Sequence, residues 1–204
     1  MIKNIVFDLG GVLVPLNRAA CEEAFKAIGF NDFGKMLNEY VQGGFFLDYE
    51  KGLLTTKEFR DILRGYIKGE VSDIQIDKAM GSFLEQIPAE RLDLLLSLKQ
   101  RFKIYMLSNT NEIAMSVVKP FFDRGNLSIE NYFDKLFLSY EMRMAKPDSE
   151  IFISMSQIAD FIPDETLFID DAPANIETAC SLGYKTLLMK PGMDLKTEVE
   201  RIVC

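Results

Sequence analysis

Residues 5–14 read IVFDLGGVLV. An apolar run, Ile5 to Phe7, delivers one carboxylate, Asp8, to its end. Two glycines, Gly10 and Gly11, follow before the apolar pattern resumes. An apolar run without alternation fits a strand buried on both faces, as in a parallel sheet covered by crossover helices. Ligands of such sheets bind beyond the carboxyl ends of the strands, which makes Asp8 the first candidate for chemistry. Glycine at positions 10 and 11 permits backbone geometry closed to other residues, so that peptide groups can approach a bound anion.

The same texture returns from about Ala89 onward. KIYML (Lys103–Leu107) precedes a helical stretch to about Phe122, and KLFLS (Lys135–Ser139) precedes a helix from about Asp148. TLFID (Thr166–Asp170) leads to a helix through Leu182, and YKTLLM (Tyr184–Met189) to a last helix from Asp194. With the first run these make about five strands, an α/β fold built on a doubly wound parallel sheet. Between Pro15 and Pro88 no strand pattern is visible. Helical stretches over Arg18–Ile28, Phe33–Val41, Thr56–Tyr66 and Ser72–Glu85 take its place, with TTKEF at 55–59 resembling a capped helix start. The expected organisation is an α/β core of residues 1–14 and 89–204 with a helical domain, 15–88, inserted after the first strand.

Composition removes several function classes. The chain of 204 residues has a formal net charge of -8, which disfavours non-specific nucleic-acid binding. Its three cysteines, Cys21, Cys180 and Cys204, are odd in number and widely spaced, the pattern of reduced thiols rather than a disulfide framework or a zinc site. The start MIKNIVF lacks the pattern of a signal peptide, and no run of about 18 apolar residues occurs. A cytoplasmic protein without a membrane or nucleic-acid partner is expected. There is no histidine, which excludes Ser-His-Asp and Cys-His catalysis and His-ligated metals.

The polar residues at the expected strand ends form one chemical set. They are Asp8, then Ser108 and Asn109, then Lys146 in the loop after KLFLS, then Asp170 and Asp171. Three carboxylates make an oxygen-only site for a hard cation such as Mg²⁺. A lysine offsets the charge of a phosphoryl group, and a hydroxyl with backbone N–H groups can cradle its oxygens. An aspartate can attack phosphorus. Each residue has a plainer reading: Asp8, Ser108-Asn109 and one of Asp170-Asp171 could be helix caps, and Lys146 a solvated loop residue. Their convergence on one sheet edge favours phosphoryl transfer.

The order FDLGGVL, LSNTNE, AKPDSEIF, FIDDAPANIETACSLGY resembles the haloacid dehalogenase superfamily, especially its phosphatases with a helical cap after the first strand. The resemblance spans essentially the whole chain and includes a sugar-phosphate phosphatase subgroup with an FDLG start. It implies Asp8 as nucleophile, Ser108 and Asn109 as phosphate-binding residues, and Lys146 as the cation steadying Asp8 and the phosphate. It further implies Mg²⁺ held by Asp8, the Gly10 carbonyl, Asp170 and Asp171, and a cap at 15–88 closing over the substrate.

Gly10 departs from that pattern. Most phosphatases of the family carry a second aspartate two residues after the nucleophile, as general acid and base, a function worth about 10²–10⁴-fold in rate. Three explanations stand: a leaving group that needs little protonation, such as that of a sugar 1-phosphate; another proton source, such as Glu22 or Glu50 of the cap or ordered water; or loss of hydrolysis, leaving a binder of a phosphorylated ligand. A 2-haloacid dehalogenase is disfavoured because adjacent acids repel an anionic halo acid. In the cap, Asn17 and Arg18 could face the pocket, and GGFF at 43–46 reads as a hinge, a stacking wall or cap core. The expectation is a Mg²⁺-dependent phosphatase of a small phosphorylated metabolite, a sugar phosphate first, acting through an aspartyl-phosphate on Asp8 as a monomer or weak homodimer.

Overall fold

The computed structural model describes residues 1–36 and 44–203. Five strands, β1 (Asn4–Phe7), β2 (Lys103–Ser108), β3 (Lys135–Leu138), β4 (Thr166–Asp170) and β5 (Lys185–Leu188), form one sheet in the order β3-β2-β1-β4-β5. Every pairing is parallel; Ile5 lies beside Ile104 on one side and Leu167 on the other. Thus β1 is central, and Asp8 leaves the sheet between the ends of β2 and β4.

Twelve α-helices surround and extend the sheet among the described residues. The segment between β1 and β2 holds α1 (Arg18–Ala27), α2 (Phe33–Met36), α3 (Phe45–Glu50), α4 (Thr56–Arg64), α5 (Asp73–Gly81) and α6 (Ala89–Lys99). Then come α7 (Glu112–Val118), α8 (Ile129–Tyr132), α9 (Ser139–Met142), α10 (Ser149–Ala159), α11 (Pro173–Ser181) and α12 (Leu195–Val203). Two of the inserted helices begin with a reciprocal capping box, Thr55 with Glu58 and Ser72 with Gln75, which satisfies backbone N–H groups that the helix itself leaves unpaired. The remainder of the expected Phe33–Val41 helix, beyond Met36, lies outside the described residues, as does Gly43 of GGFF.

Strand alternation divides the apolar residues between two layers. Ile5, Phe7, Ile104, Met106, Leu167 and Ile169 point to one face, where Leu95, Val118 and Val199 cover them. Val6, Tyr105, Leu107 and Phe168 point to the other, against Phe152, Met155 and Ala179. Burial on both faces is why the strands read as continuous apolar runs. The inserted helices build a third cluster of their own, from Phe25, Phe30, Phe33, Phe46, Tyr49, Phe59 and Leu63. Ile113 of α7 enters this cluster and joins it to the core. No helix among the described residues is long and apolar enough to cross a membrane.

Aromatic rings dominate the third cluster. Phe25 stacks on Phe33 with centroids 3.7 Å apart, and Tyr49 stacks on Phe59 at 4.1 Å. Phe45 and Phe46 pack against Phe59 at 5.7 and 5.4 Å, so these rings serve the cluster's own core. Phe59 is fully buried. Phe59→Ala is expected to cost about 3–5 kcal/mol, the sum of lost transfer energy and the cavity left behind. Urea unfolding of the two proteins measures it, and a loss below about 1 kcal/mol would show that the cluster collapses around the gap.

Candidate active site

Asp8 is set by the sheet itself. Its N–H donates to the Ile169 carbonyl at 2.9 Å, continuing the β1–β4 pairing, and its side chain then turns into a sharply folded loop. In that loop Leu13 and Val14 both donate to the Leu9 carbonyl, at 2.9 and 2.8 Å, while Gly11 donates to the Val14 carbonyl at 2.9 Å. Gly11 has φ +72°, and a Cβ there would collide with the Asp171 carboxylate, so position 11 requires glycine twice over. Gly10 does not: its φ lies outside the left-handed region, and an added Cβ would meet only the Leu16 side chain, 3.3 Å away. The expectation that both glycines answer a backbone demand is therefore corrected for Gly10.

Lys146 binds the site together. Its side chain is 1% exposed, and Nζ lies 2.9 Å from Asp8 Oδ1, 2.6 Å from Asp170 Oδ2 and 3.0 Å from the Leu107 carbonyl. The three donors of the ammonium are thereby used. Burial works to lower its pKa, but the carboxylates of Asp170 and Asp8 outweigh burial and hold the pKa above the usual lysine value. Asn109 fixes the loop that carries it: Nδ2 donates to the Lys146 carbonyl and Oδ1 accepts from the Lys146 N–H, both at 2.8 Å. Asn109, expected on the substrate, thus also serves to hold Lys146.

Asp170 is equally committed. It is fully buried, and while Oδ2 faces Lys146, Oδ1 accepts from the Ala172 N–H at 2.8 Å and Asn175 Nδ2 at 2.9 Å. Asn175, one turn into α11, was not picked out from sequence; only its place at the start of the helix after Asp170-Asp171 could have flagged it. Neither aspartate caps α11, whose N-cap is Ala172, and α7 is capped by Asn111 rather than by Ser108-Asn109. Ser108, at the end of β2, is buried, and its hydroxyl makes only a long 3.4 Å bond to the Asn109 carbonyl.

Asp8, Asp170 and Asp171 each bring one carboxylate oxygen within 4.8 Å of the others. Burial pushes the Asp8 carboxyl well above the usual range; Lys146 opposes the push, and Asp170 and Asp171 add to it. Three carboxylates against one ammonium leave a negative surplus that a divalent cation would neutralise, and an all-oxygen donor set suits Mg²⁺. Asp8, Asp170 and Asp171 are the candidate donors for such a cation, with Asp170 also held by Lys146, Ala172 and Asn175. Asp8 Oδ1 also accepts from the Leu9 N–H at 2.7 Å, which leaves Oδ2 without a hydrogen bond among the described residues.

A cavity of about 340 Å³ opens over these groups. Asp8, Gly10, Ser108, Asn109, Lys146 and Asp171 line its floor, and Phe46, Leu47, Glu50 and Lys51 of the inserted helices its wall. Glu50 is 8% exposed, and burial together with Asp8 pushes its carboxyl up to about 8 despite the opposing Lys146. Glu22, the other acid suggested by sequence, is paired with Arg18 at 2.6 Å and does not line the cavity. Arg18 also donates to the Gly34 carbonyl, and Asn17 caps α1, so neither faces the pocket as expected.

Comparison with known proteins places this geometry. Residues 2–183 match the family of haloacid dehalogenase-like hydrolases. The chain is 37% identical over 204 residues, covering 100% of itself and 99% of the relative, to D-ribitol-5-phosphate phosphatase of Bacteroides thetaiotaomicron. Its fold matches, with a TM-score of 0.95 and 44% identity, the crystal structure of a mutant haloacid dehalogenase family enzyme of the same organism in complex with magnesium and inorganic phosphate, covering 98% of this chain and 99% of that one. A predicted hydrolase of this type from Porphyromonas gingivalis matches with a TM-score of 0.92 and 40% identity, over 100% and 98% of the two chains.

Replacing Lys146 by Met would leave two buried carboxylates facing each other without a cation. The expected loss is about 3–5 kcal/mol of folding stability, read by urea unfolding in EDTA. Mg²⁺ should recover part of that loss; a variant as stable as the wild type in EDTA would show that the cluster does not depend on the ammonium.

Proposed function

The chain belongs to the haloacid dehalogenase-like hydrolase family, and on that footing we propose that it is a Mg²⁺-dependent phosphatase of a small sugar or polyol phosphate, with Asp8 as the nucleophile. The observation that carries this reading is the buried Asp8–Lys146–Asp170 cluster, with Asp171 beside it, at the floor of a cavity roofed by the inserted helices. Residues 15–88 act as the cap, and residues 1–14 and 89–204 as the core that carries the chemistry.

In the first half of the reaction an Asp8 oxygen bonds to phosphorus while the ester P–O bond breaks, producing an aspartyl-phosphate and the alcohol. Water then attacks the phosphorus, inorganic phosphate leaves, and Asp8 is regenerated. Lys146 orients Asp8 and favours its ionised form against the burial that raises its carboxyl. The Ser108 hydroxyl, at the cavity floor, binds a phosphoryl oxygen. A Mg²⁺ ion held by Asp8, Asp171 and the Gly10 carbonyl supplies positive charge that shields the phosphoryl oxygens from the surrounding carboxylates.

Expectation of a sugar 1-phosphate rests on Gly10, through its demand for a good leaving group, and on resemblance to a sugar-phosphate phosphatase subgroup with an FDLG start. The relative named for D-ribitol-5-phosphate acts on the ester of a primary alcohol, whose alkoxide is a poor leaving group. We therefore extend the substrate class to esters of primary alcohols on linear or cyclic sugars. The cavity volume suits a five- or six-carbon compound, small against pockets of roughly 300–1,000 Å³ that hold drug-sized ligands.

Phosphate release from ribitol 5-phosphate and a set of sugar phosphates, with Mg²⁺ or EDTA, tests the proposal. Activity should require Mg²⁺ and fall by at least about 10³-fold in Asp8→Asn, as expected when a covalent nucleophile is removed. Activity that survives Asp8→Asn, or folded protein that turns over none of the phosphates, would reject it.

A further inference from the structure

Family resemblance leaves the proton for the leaving group unassigned, because position 10 is glycine. For an ester of a primary alcohol, protonation in the transition state is worth about 10²–10⁴-fold, which makes a proton donor in the cavity the group to look for. Among the described residues the cavity-lining acids are Asp8, Glu50, Asp148 and Asp171. Asp8 is the nucleophile, Asp171 lies against the cation site, and Asp148 is paired with Lys51 at 3.0 Å and exposed. Glu50 is buried, lines the cavity, and makes no hydrogen bond or ion pair with any described residue.

The backbone on either side of Glu50 is pinned to the catalytic edge of the core. The Tyr49 hydroxyl bonds Thr56 Oγ1 at 2.9 Å and accepts from the Ile113 N–H at the start of α7 at 3.4 Å. Lys51 pairs with Asp148, two residues after Lys146. Gly52, at φ +62°, packs so closely on the Tyr140 carbonyl that any Cβ would collide with it. Three anchors, at 49, 51 and 52, thus fasten the C-terminal end of α3 to three different elements of the core. An unpaired acid is held over the site between them, which is hard to explain by stability alone, since burying an unpartnered carboxyl costs free energy.

We propose that Glu50 is the general acid and base of this enzyme, standing in from the cap for the aspartate that position 10 lacks. The inference rests on the phosphatase reading above. As Asp8 bonds to phosphorus, the Glu50 proton passes to the ester oxygen, which leaves as the neutral alcohol. The Glu50 carboxylate then takes a proton from the water that attacks the aspartyl-phosphate, and both carboxyl groups return to their starting state. Burial, which raises the carboxyl to about 8, keeps the proton in place at neutral pH. Because Glu50 lies on the cap, proton donation is available only with the cap helices against the core, which couples closure to chemistry.

A general acid is separable from a structural residue by its leaving-group dependence. First-turnover rates are measured by rapid quench for ribitol 5-phosphate and 4-nitrophenyl phosphate, in wild type, Glu50→Gln, Gly10→Asp and the double variant. Glu50→Gln should slow ribitol 5-phosphate by about 10²–10³-fold and the aryl ester, whose phenolate needs no proton, by no more than a few-fold. Gly10→Asp, whose Cβ requires only that Leu16 shift by a few tenths of an ångström, should restore most of the rate lost in Glu50→Gln. Equal losses on both esters, or no loss on either, or no rescue in the double variant, would overturn the assignment. An Asp8→Asn control that keeps its activity would instead reject the phosphatase reading itself. Should Glu50→Gln fold poorly, Glu50→Asp and the Gly10→Asp background carry the same comparison.

Discussion

One ammonium among buried carboxylates is the constraint on which the site depends. Lys146 touches Asp8 after β1, Asp170 at the end of β4 and the Leu107 carbonyl in β2, so a single side chain joins three adjacent strands. An uncompensated carboxylate buried this deeply would be strongly destabilising, and the lysine is what permits the sheet to close over charge at its carboxyl edge. The bond from Asn109 to both sides of the Lys146 peptide keeps the loop from relaxing away. Asp170 and Asn175 do the corresponding work at the start of α11. These residues hold Asp8 in place, while the surplus of negative charge that remains creates the demand for a divalent cation.

The inserted helices answer a different requirement. Their aromatic core lets a short helical insertion be stable enough to present a fixed surface, and Phe46 and Leu47 turn part of that surface toward the cavity. The anchors around Glu50 place one acid on that surface close to the catalytic floor. Dividing nucleophile and acid between two structural units differs from placing both on one loop. In the proposed arrangement, proton donation by Glu50 would require the inserted helices to lie against the core.

Much of the framework was legible because the physics behind it is local. Strands buried on both faces appear as uninterrupted apolar runs, and TLFID was read with the bounds the structure gives it. Capping boxes at Thr55 and Ser72 mark helix starts in the insertion. The order of strand ends brought Asp8, Ser108, Lys146 and Asp171 to one edge. What sequence did not show depends on tertiary placement. The helix α3 lacks a clear apolar period, being nearly all aromatic and acidic, FFLDYE, so its stability comes from packing and not from pattern. The choice between Glu22 and Glu50 depended on which acid finds a partner, and Arg18 takes Glu22. The difference between Gly10 and Gly11 lies in one backbone angle and the nearness of Asp171, neither visible in a pair of identical letters.

The most direct measurement is chemical trapping of the intermediate. Enzyme mixed with substrate is quenched in acid within the first turnover, reduced with borohydride and digested for mass spectrometry. The peptide containing residue 8 should carry homoserine in place of Asp8, the mark of an acyl phosphate at that carboxyl, with no other carboxylate converted. Turnover in the same experiment with Asp8 unmodified, or with the label on Glu50 or Asp171, would contradict Asp8 as the nucleophile.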